Sequence, residues 1–242
     1  MLSQNSLLRL ISWRRSTWYV LFTAMLVACR GADPTPANNV ATVGVVDSFG
    51  IAVENGFGAG DSGGDGTAGD GAPIPNRPVV LIDVTGRTAT TSTDAQGYYR
   101  LNLTGFAPPF VVRVTRADGV VRTSLSTAAL KSNGFITINI TGLTDKIASD
   151  VAIAGGKRGA SELTPAIVAA NTPAIAAAIA KLRIELASAI LAAGENVLTF
   201  DPIAMPFRTN GTGYDRVLDN VKVTVSPTGA TVVIPVASLT GI

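Results

Sequence analysis

The sequence predicts an α+β protein in which an N-terminal antiparallel β-sandwich precedes a small helical segment and a C-terminal β-hairpin. Between residues 79 and 140, short alternating runs of β-branched and aromatic residues are separated by glycine, proline and aspartate turns. After Gly142 the apolar residues recur every three or four positions, which is typical of helices. Residues 221–236 alternate again on either side of Pro227 and Gly229, which predicts a terminal hairpin.

Composition limits the chemistry that is open to the chain. Its 242 residues include one cysteine and no histidine, which excludes Ser-His-Asp triads, Cys-His pairs and zinc sites built from thiolate and imidazole. The net charge of +2 includes Arg9, Arg14 and Arg15 of a predicted leader; without them, sixteen basic residues face seventeen acidic ones, about −1. We therefore expect no nucleic-acid partner, and we expect no cofactor.

The first 28 residues have the pattern of a signal peptide. A basic stretch ends at Arg14 and Arg15, and the apolar run over residues 18–28 is too short to span a membrane comfortably. The run ends at a small residue followed by the cysteine, and this boundary consists of Leu26, Val27, Ala28 and Cys29.

This boundary resembles a bacterial lipobox, which implies that Cys29 is acylated and becomes the mature N-terminus. In lipoproteins an aspartate after the cysteine favours the inner membrane; Arg30 stands there, so the resemblance implies outer-membrane delivery. Acyl chains on Cys29 would make the membrane a partner, and residues 29–42, with Pro34 and Pro36, read as a tether. An ordinary signal peptide and a signal anchor with an incidental cysteine are the alternatives.

Residues 58–71 are so rich in glycine that they predict a solvated loop. Three aspartates on this segment, Asp61, Asp65 and Asp70, form a weak candidate for a calcium site, because hard cations prefer carboxylate oxygens. Their spacing matches neither the EF-hand loop nor the glycine-rich nonapeptide repeat, so a solvated loop is the favoured interpretation and a cation site the alternative.

The clearest strand signal is a tight hairpin over residues 90–103. Asp94 can bond the turn backbone and Gly97 can adopt a positive φ. Beyond the turn, alternation places Tyr99, Leu101 and Leu103 in a core and their neighbours toward water. The other predicted strands cover residues 43–46, 79–84, 87–93, 110–115, 120–125 and 135–140.

Two stretches around this hairpin resemble the carboxypeptidase regulatory-like domain, a transthyretin-like β-sandwich. They are Gly71-Ala-Pro-Ile-Pro-Asn-Arg-Pro-Val-Val80 and Thr93-Asp-Ala-Gln-Gly-Tyr-Tyr99. The resemblance covers residues 43–142 and implies a module that binds glycans or proteins, serves as a stalk, or accompanies a catalytic unit. Residues 143–242 form the predicted second region.

Helices are predicted in this second region. Thr144 can cap a helix that Gly155 ends, Ser161 or Thr164 can start a short helix, and residues 172–194 form a longer one. An apolar stripe on the longer helix could contact lipid or a partner, although packing inside the protein is favoured. The stripe consists of Ile175, Ile179, Leu182, Leu186 and Ile190. A loop and short helix then precede the terminal hairpin.

Three functional hypotheses follow. The favoured one is a non-enzymatic, lipid-anchored envelope protein whose sandwich binds an envelope protein or glycan, or acts as a spacer. An accessory subunit of a surface assembly is the second. The third is a carbohydrate-active enzyme that uses two carboxylates among Asp201, Asp215 and Asp219, although these residues are better explained as helix caps and surface charges.

Overall fold

The computed structural model of the chain describes residues 45–53 and 57–236. The strands are β1 Ser62–Gly69, β2 Pro78–Ile82, β3 Thr88–Ser92, β4 Tyr98–Asn102, β5 Phe110–Thr115, β6 Val121–Ser126, β7 Gly134–Thr137, β8 Ile140–Thr141, β9 Val221–Val225 and β10 Thr231–Pro235. The α-helices are α1 Gly142–Ala154, α2 Pro165–Ala170, α3 Thr172–Glu185, α4 Ala187–Ala192 and α5 Tyr214–Asp219, and a 3-10 helix spans Ala160–Glu162. Within the described residues, we find no helix with the length and apolar character needed to cross a membrane.

The described strands form two larger sheets and a separate hairpin. In the mixed sheet, β1 lies between an antiparallel β4 on one side and parallel β7 and β8 on the other. The antiparallel sheet has the order β3-β2-β5-β6, and β9 pairs with β10. The coarse prediction of an α+β chain, rich in antiparallel strands and with few helices, is confirmed.

Strand β1 departs most from the prediction, because it lies within the segment expected to be a solvated loop. Seven of its eight residues are buried, and it pairs along both edges. Gly64, for example, lies opposite Leu101 of β4 and Ile136 of β7. The loop prediction is wrong for Ser62–Gly69, since pairing on both sides gives this backbone the hydrogen bonds that water would otherwise supply.

Glycine allows the neighbours of β1 to approach its backbone closely. A Cβ atom on Gly64 would lie 2.7 Å from Cδ1 of Leu103, and one on Gly66 would lie 2.3 Å from the carbonyl oxygen of Ile138. Both distances are shorter than van der Waals contact. The absence of side chains at these positions is therefore a packing requirement of the sheet and not a sign of an unfolded segment.

Residues 90–103 do not form the predicted hairpin, because the two strands do not pair with each other. β3 pairs with β2 in the antiparallel sheet, whereas β4 pairs with β1 in the mixed sheet. Thr93, between them, is buried, and its hydroxyl donates to the carbonyl of Ile74 (2.7 Å) and accepts from the amide of Arg77 (2.9 Å). These bonds hold the chain where it crosses from one sheet to the other.

The turn itself follows the prediction. The carboxylate of Asp94 accepts hydrogen bonds from the amides of Gln96 (2.9 Å) and Tyr98 (2.8 Å), and Gly97 adopts a φ of 79°. The predicted core positions of β4 are also confirmed, since Tyr99 and Leu101 are each 3% exposed. Local turn chemistry and side-chain alternation were thus predicted correctly, while the partner strand was not.

Three other predicted hairpins match the structure. β2 and β3 pair through a turn at Asp83 to Arg87, β5 pairs with β6, and β9 pairs with β10. The predicted strand over residues 135–140 is divided into β7 and β8, with Ile138 and Asn139 outside both. The first predicted strand lies partly outside the described residues; of the rest, Val46 forms isolated bridges to Ala52 and Gly134.

Helix α1 starts three residues earlier than predicted and covers an edge of the antiparallel sheet. Its cap is Thr141, whose hydroxyl accepts from the amide of Thr144 (3.2 Å), while the Thr144 hydroxyl accepts from the Thr141 amide (2.9 Å). Thr144 was predicted as the cap and instead completes this capping box. Asp145 accepts from the amide of Thr123 on edge strand β6 (2.8 Å), so the helix satisfies an otherwise open strand edge.

The predicted long helix is divided into α3 and α4 at Leu186, whose backbone has a φ of −108° and a ψ of 13°. The stripe prediction is confirmed as internal packing: Leu182, Leu186 and Ile190 are at most 1% exposed, and Ile175 and Ile179 pack against the same core. This hydrophobic core includes residues of both sheets, α1, α3, α4, α5 and β10. All described residues fall within one compact unit.

Replacement of Gly66 by alanine should destabilise the chain by about 2 kcal/mol, because the new Cβ would collide with the Ile138 carbonyl and force the sheet to shift. Urea unfolding of the full chain measures this change. Gly58→Ala is the matched control: its Cβ would meet no atom closer than 3.8 Å, so we expect a change within about 0.5 kcal/mol. Equal stabilities of the two variants would contradict the packing role of Gly66.

Candidate functional site

The three aspartates of the predicted calcium candidate belong to separate hydrogen-bond networks. Asp61 precedes β1 and accepts from the amide of Gly58 (2.7 Å) and from the Asn102 side chain (3.2 Å). Asp65 lies in the middle of β1 and Asp70 directly follows it. Among the described residues, no group of three or more acidic, histidine or cysteine side chains could hold a metal ion. The structure does not bring these carboxylates together.

Asp65 is fully buried on the face of the mixed sheet that residues 45–53 cover. It accepts from the Ser48 amide (2.7 Å) and the Tyr98 hydroxyl (2.9 Å), and more weakly from the Thr137 hydroxyl (3.4 Å). Burial raises the pKa of Asp65 above its ordinary value, although these hydrogen bonds oppose the shift. Both carboxylate oxygens are already used within the protein, so this position has a structural role.

Asp47 completes the same cluster from the covering segment. Its carboxylate accepts from the amides of Phe49 (3.0 Å) and Ile51 (2.8 Å) and forms an ion pair with Arg100. Burial would raise the pKa of Asp47, but the Ile51 amide and the Arg100 guanidinium outweigh it and hold the pKa below its ordinary value. Tyr98 bridges the two acids, since its hydroxyl oxygen lies 3.2 Å from Asp47.

We name these residues, Asp47, Asp65, Tyr98 and Arg100, the acid latch, because they fasten residues 45–53 to β1 and β4. The alternation predicts that Tyr98 and Arg100 face water, and the pattern over residues 47–58 is ambiguous. Both side chains are in fact partly covered. The ion pair joins positions 53 residues apart, and no periodic pattern connects them.

Asp70 organises a second cluster at the end of β1. One carboxylate oxygen accepts from Nη1 of Arg116 (2.6 Å) and Nε of Arg122 (2.7 Å), and the other accepts from the amide of Gly142, the first residue of α1 (2.6 Å). Arg122 is only 5% exposed, and its Nη1 lies 3.8 Å from Asp145. Asp70 therefore ties β1 to the β5–β6 hairpin and to the start of α1.

Asp145 extends this cluster to the terminal hairpin. Its second oxygen accepts from the hydroxyl of Thr231 on β10 (2.7 Å). Burial raises the pKa of Asp145, while the Thr231 hydroxyl, the Thr123 amide and the Arg122 charge oppose the shift. The chain of contacts from Asp70 through Arg122 to Asp145 thus links four regions of the fold.

A cavity of about 530 Å³ opens beside Asp70. One wall is the segment from Ala72 to Arg77, and the opposite wall is the β5–β6 turn from Arg116 to Asp118. Arg116 is held in place, since its Nη2 lies 3.1 Å from the Asp118 carboxylate while its Nη1 contacts Asp70. We name this space the Asp70 cavity; its volume lies within the range of small-molecule sites, and its lining combines an apolar segment with four charged side chains and Asn76.

A smaller cavity of about 190 Å³ lies on the other side of the Asp70 and Arg116 pair. Its lining adds two basic groups, the buried Arg122 and the exposed Lys222 of β9, to aliphatic residues of α5 and β9. Of these residues only Asp70 was singled out by the sequence, for a cation site. Its actual partners are arginines 46 and 52 positions away, a separation that local patterns do not detect.

The aspartates considered for a carbohydrate-active enzyme make different contacts in the structure. Asp201 accepts from the amides of Ile203 (2.9 Å) and Ala204 (3.2 Å) and so caps a turn, not a helix as predicted. Asp215 is 2% exposed and accepts from the Gly211 amide (2.7 Å), and burial together with the charge of Asp219 raises its pKa. Its other oxygen has no hydrogen-bond partner among the described residues.

The predicted site of lipidation, Cys29, lies outside the described residues with the rest of the lipobox, the signal peptide and the tether. A scan of protein-family models finds no match for the chain, and a search of the curated proteins finds none either.

Replacement of Asp70 by asparagine should lower the free energy of unfolding by about 3 kcal/mol, because it leaves the buried guanidinium of Arg122 without its closest counter-charge. Asp118→Asn is the matched control, since it removes another carboxylate from Arg116 at a half-exposed position and should cost at most about 1 kcal/mol. Chemical denaturation of both variants measures the difference. A loss for Asp70→Asn no larger than that of the control would show that Asp70 does not organise this region.

The contribution of the acid latch to the free energy of unfolding should depend on pH, in opposite directions for Asp65 and Asp47. Because the folded-state pKa of Asp65 is raised, the folded chain binds the proton more tightly, and this stabilisation is lost as pH rises from about 4 through the folded pKa. Asp65→Asn should therefore gain stability relative to the unsubstituted chain as pH rises over that window, by up to about 1.4 kcal/mol per pH unit.

Asp47→Asn is the opposite control for this measurement. The pKa of Asp47 is lowered, so its contribution is present above the unfolded pKa of about 4 and is lost as pH falls. Unfolding titrations at several pH values should show the two variants diverging from the unsubstituted chain in opposite directions. Parallel curves would contradict the assigned shifts.

Proposed function

We propose that this chain is a non-enzymatic cell-envelope protein, held to the outer membrane by acyl chains on Cys29, and that its folded part is a binding or spacer module. The lipobox resemblance supports the anchor: small residues precede the chain's only cysteine at the end of an apolar run. The following residues, with Pro34 and Pro36, suit a tether between a membrane and a folded body.

We further propose that the two larger sheets form a transthyretin-like sandwich. In support, the inward residues of the antiparallel sheet, such as Leu81 and Val112, belong to the same hydrophobic core as Tyr99 and Ile136 of the mixed sheet. The parallel pairing of β1 with β7 and β8 departs from the all-antiparallel arrangement that the sequence predicts.

The Asp70 cavity is the observation that carries the binding role. It combines a volume of about 530 Å³, an apolar wall and two arginines, at a place where a turn and a connecting segment face one another. Such loops on a rigid scaffold are where recognition residues concentrate in binding proteins. The cavity therefore favours ligand binding over a purely spacing role.

A second candidate function is an accessory subunit of a surface assembly. Ile184 at the end of α3 is 79% exposed, Leu191 of α4 is 64% exposed, and Leu198 in the following turn is 81% exposed. A contiguous apolar surface built from such side chains would be a site for a partner protein. Mild crosslinking followed by co-purification would detect a stable partner of this kind.

Cys29→Ser should abolish incorporation of radiolabelled palmitate and release the chain from the membrane fraction. Acyl chains stabilise membrane binding by roughly 0.8 kcal/mol for each buried methylene, so their loss removes the anchor. Arg30→Asp is the control: the label should remain, while the chain moves from the outer to the inner membrane. A chain that takes no label, and whose Cys29→Ser variant stays membrane-bound, would overturn the anchor.

A further inference from the structure

The apolar wall of the Asp70 cavity is fixed in shape before any ligand arrives. Ala72, Pro73, Ile74 and Pro75 supply carbon surface, and each proline ring restricts its own φ. The amide of Asn76 donates to the Thr93 carbonyl (3.1 Å), so the end of this wall is tied to the crossover between the sheets. A preformed wall lowers the entropy cost of binding.

The ion pairs around the cavity are unevenly distributed. Asp70 and Asp118 both contact Arg116, and Asp70 also accepts from Arg122, so two guanidinium groups share one carboxylate oxygen. Arg77 lines the same cavity and is only partly exposed, yet it forms no ion pair with any residue that the structure describes. Among the residues that the structure describes, it is thus the cation of this cavity without an ion-pair partner.

A guanidinium in this setting recognises a particular chemistry. Its planar fork matches the two oxygens of a carboxylate or the oxygens of a phosphate, and such charge-assisted bonds are roughly twice as strong as neutral ones. The neighbouring wall of Ala72, Pro73, Ile74 and Pro75 offers no polar side chain and suits a compact hydrocarbon group.

We propose that the Asp70 cavity binds a small carboxylate or phosphate attached to a compact apolar body, with Arg77 as the residue that holds the anion. This inference rests on the proposed binding role and names its ligand class. The anionic group pairs with Arg77, while the apolar body covers the wall at residues 72–75. Arg116, already held by two aspartates, orients this end of the site.

Isothermal titration calorimetry of the full chain in non-ionic detergent tests the proposal with four probes. These are 3-phenylpropanoate, phenyl phosphate, the neutral 3-phenylpropan-1-ol and inorganic phosphate. We expect at least one of the two aromatic anions to bind about tenfold or more tightly than both the alcohol and inorganic phosphate. The tighter of the two aromatic anions identifies whether the natural group is a carboxylate or a phosphate.

Arg77→Gln should weaken binding of that anion by about tenfold or more, because it removes the charge and keeps much of the side chain. Arg158→Gln removes the same charge at an exposed position outside the cavity lining and should change binding less than twofold. Ala117→Trp, at an exposed turn position of the lining, should fill the space and abolish binding without a change in thermal midpoint.

Three results would overturn the proposal: no binding of either aromatic anion to the folded chain, equal affinity for the alcohol, or unchanged affinity in Arg77→Gln. The anchor is judged separately by palmitate labelling. Anion binding by a chain that takes no palmitate would overturn the anchor and uphold the cavity, whereas labelling without anion binding would overturn the cavity alone.

Discussion

The close approach of backbone to backbone at β1 is the constraint on which the rest of the structure depends. Because Gly64 and Gly66 carry no Cβ atom, Leu103 can fill the space over the strand and the chain at Ile138 can pass directly against it. This permits β1 to pair with strands on both edges. Both buried acid clusters then follow from their positions on this strand, Asp65 at its middle and Asp70 just beyond its end.

The hydrophobic core and the two acid clusters stabilise the fold in different ways. The core joins the sheets and helices by burial, which is strong but non-directional. The carboxylates of Asp65 and Asp70 add direction, since each accepts from donors on segments far away in the chain. A buried charge that loses its partner is costly, so these contacts favour one arrangement of the segments over others.

Much of the local structure could be predicted from the sequence, because its causes are local. Turn residues such as Asp94 and Gly97, the cap at Thr164 and the stripe ending at Ile190 act within a few positions of themselves. Strand β1 could not be predicted in this way, because its glycine-rich sequence has no periodic pattern of apolar residues. It forms a strand because it pairs with β4, β7 and β8. Asp70 could be recognised as a candidate site residue from its local sequence. Its partners Arg116 and Arg122 could not, because they are far from it in the chain.

The acid latch has a mechanical consequence for a chain that is anchored upstream. If the chain is anchored at Cys29, as proposed, a pull on the anchor reaches the described part of the fold first at residues 45–53. There the load falls on the ion pair of Asp47 with Arg100, on the Ser48 amide bound to Asp65, and on the packing of Val45 and Val53 against Phe135. These few contacts would yield before the main hydrophobic core, so the segment would lengthen the reach of the module under tension while its cavity stays intact.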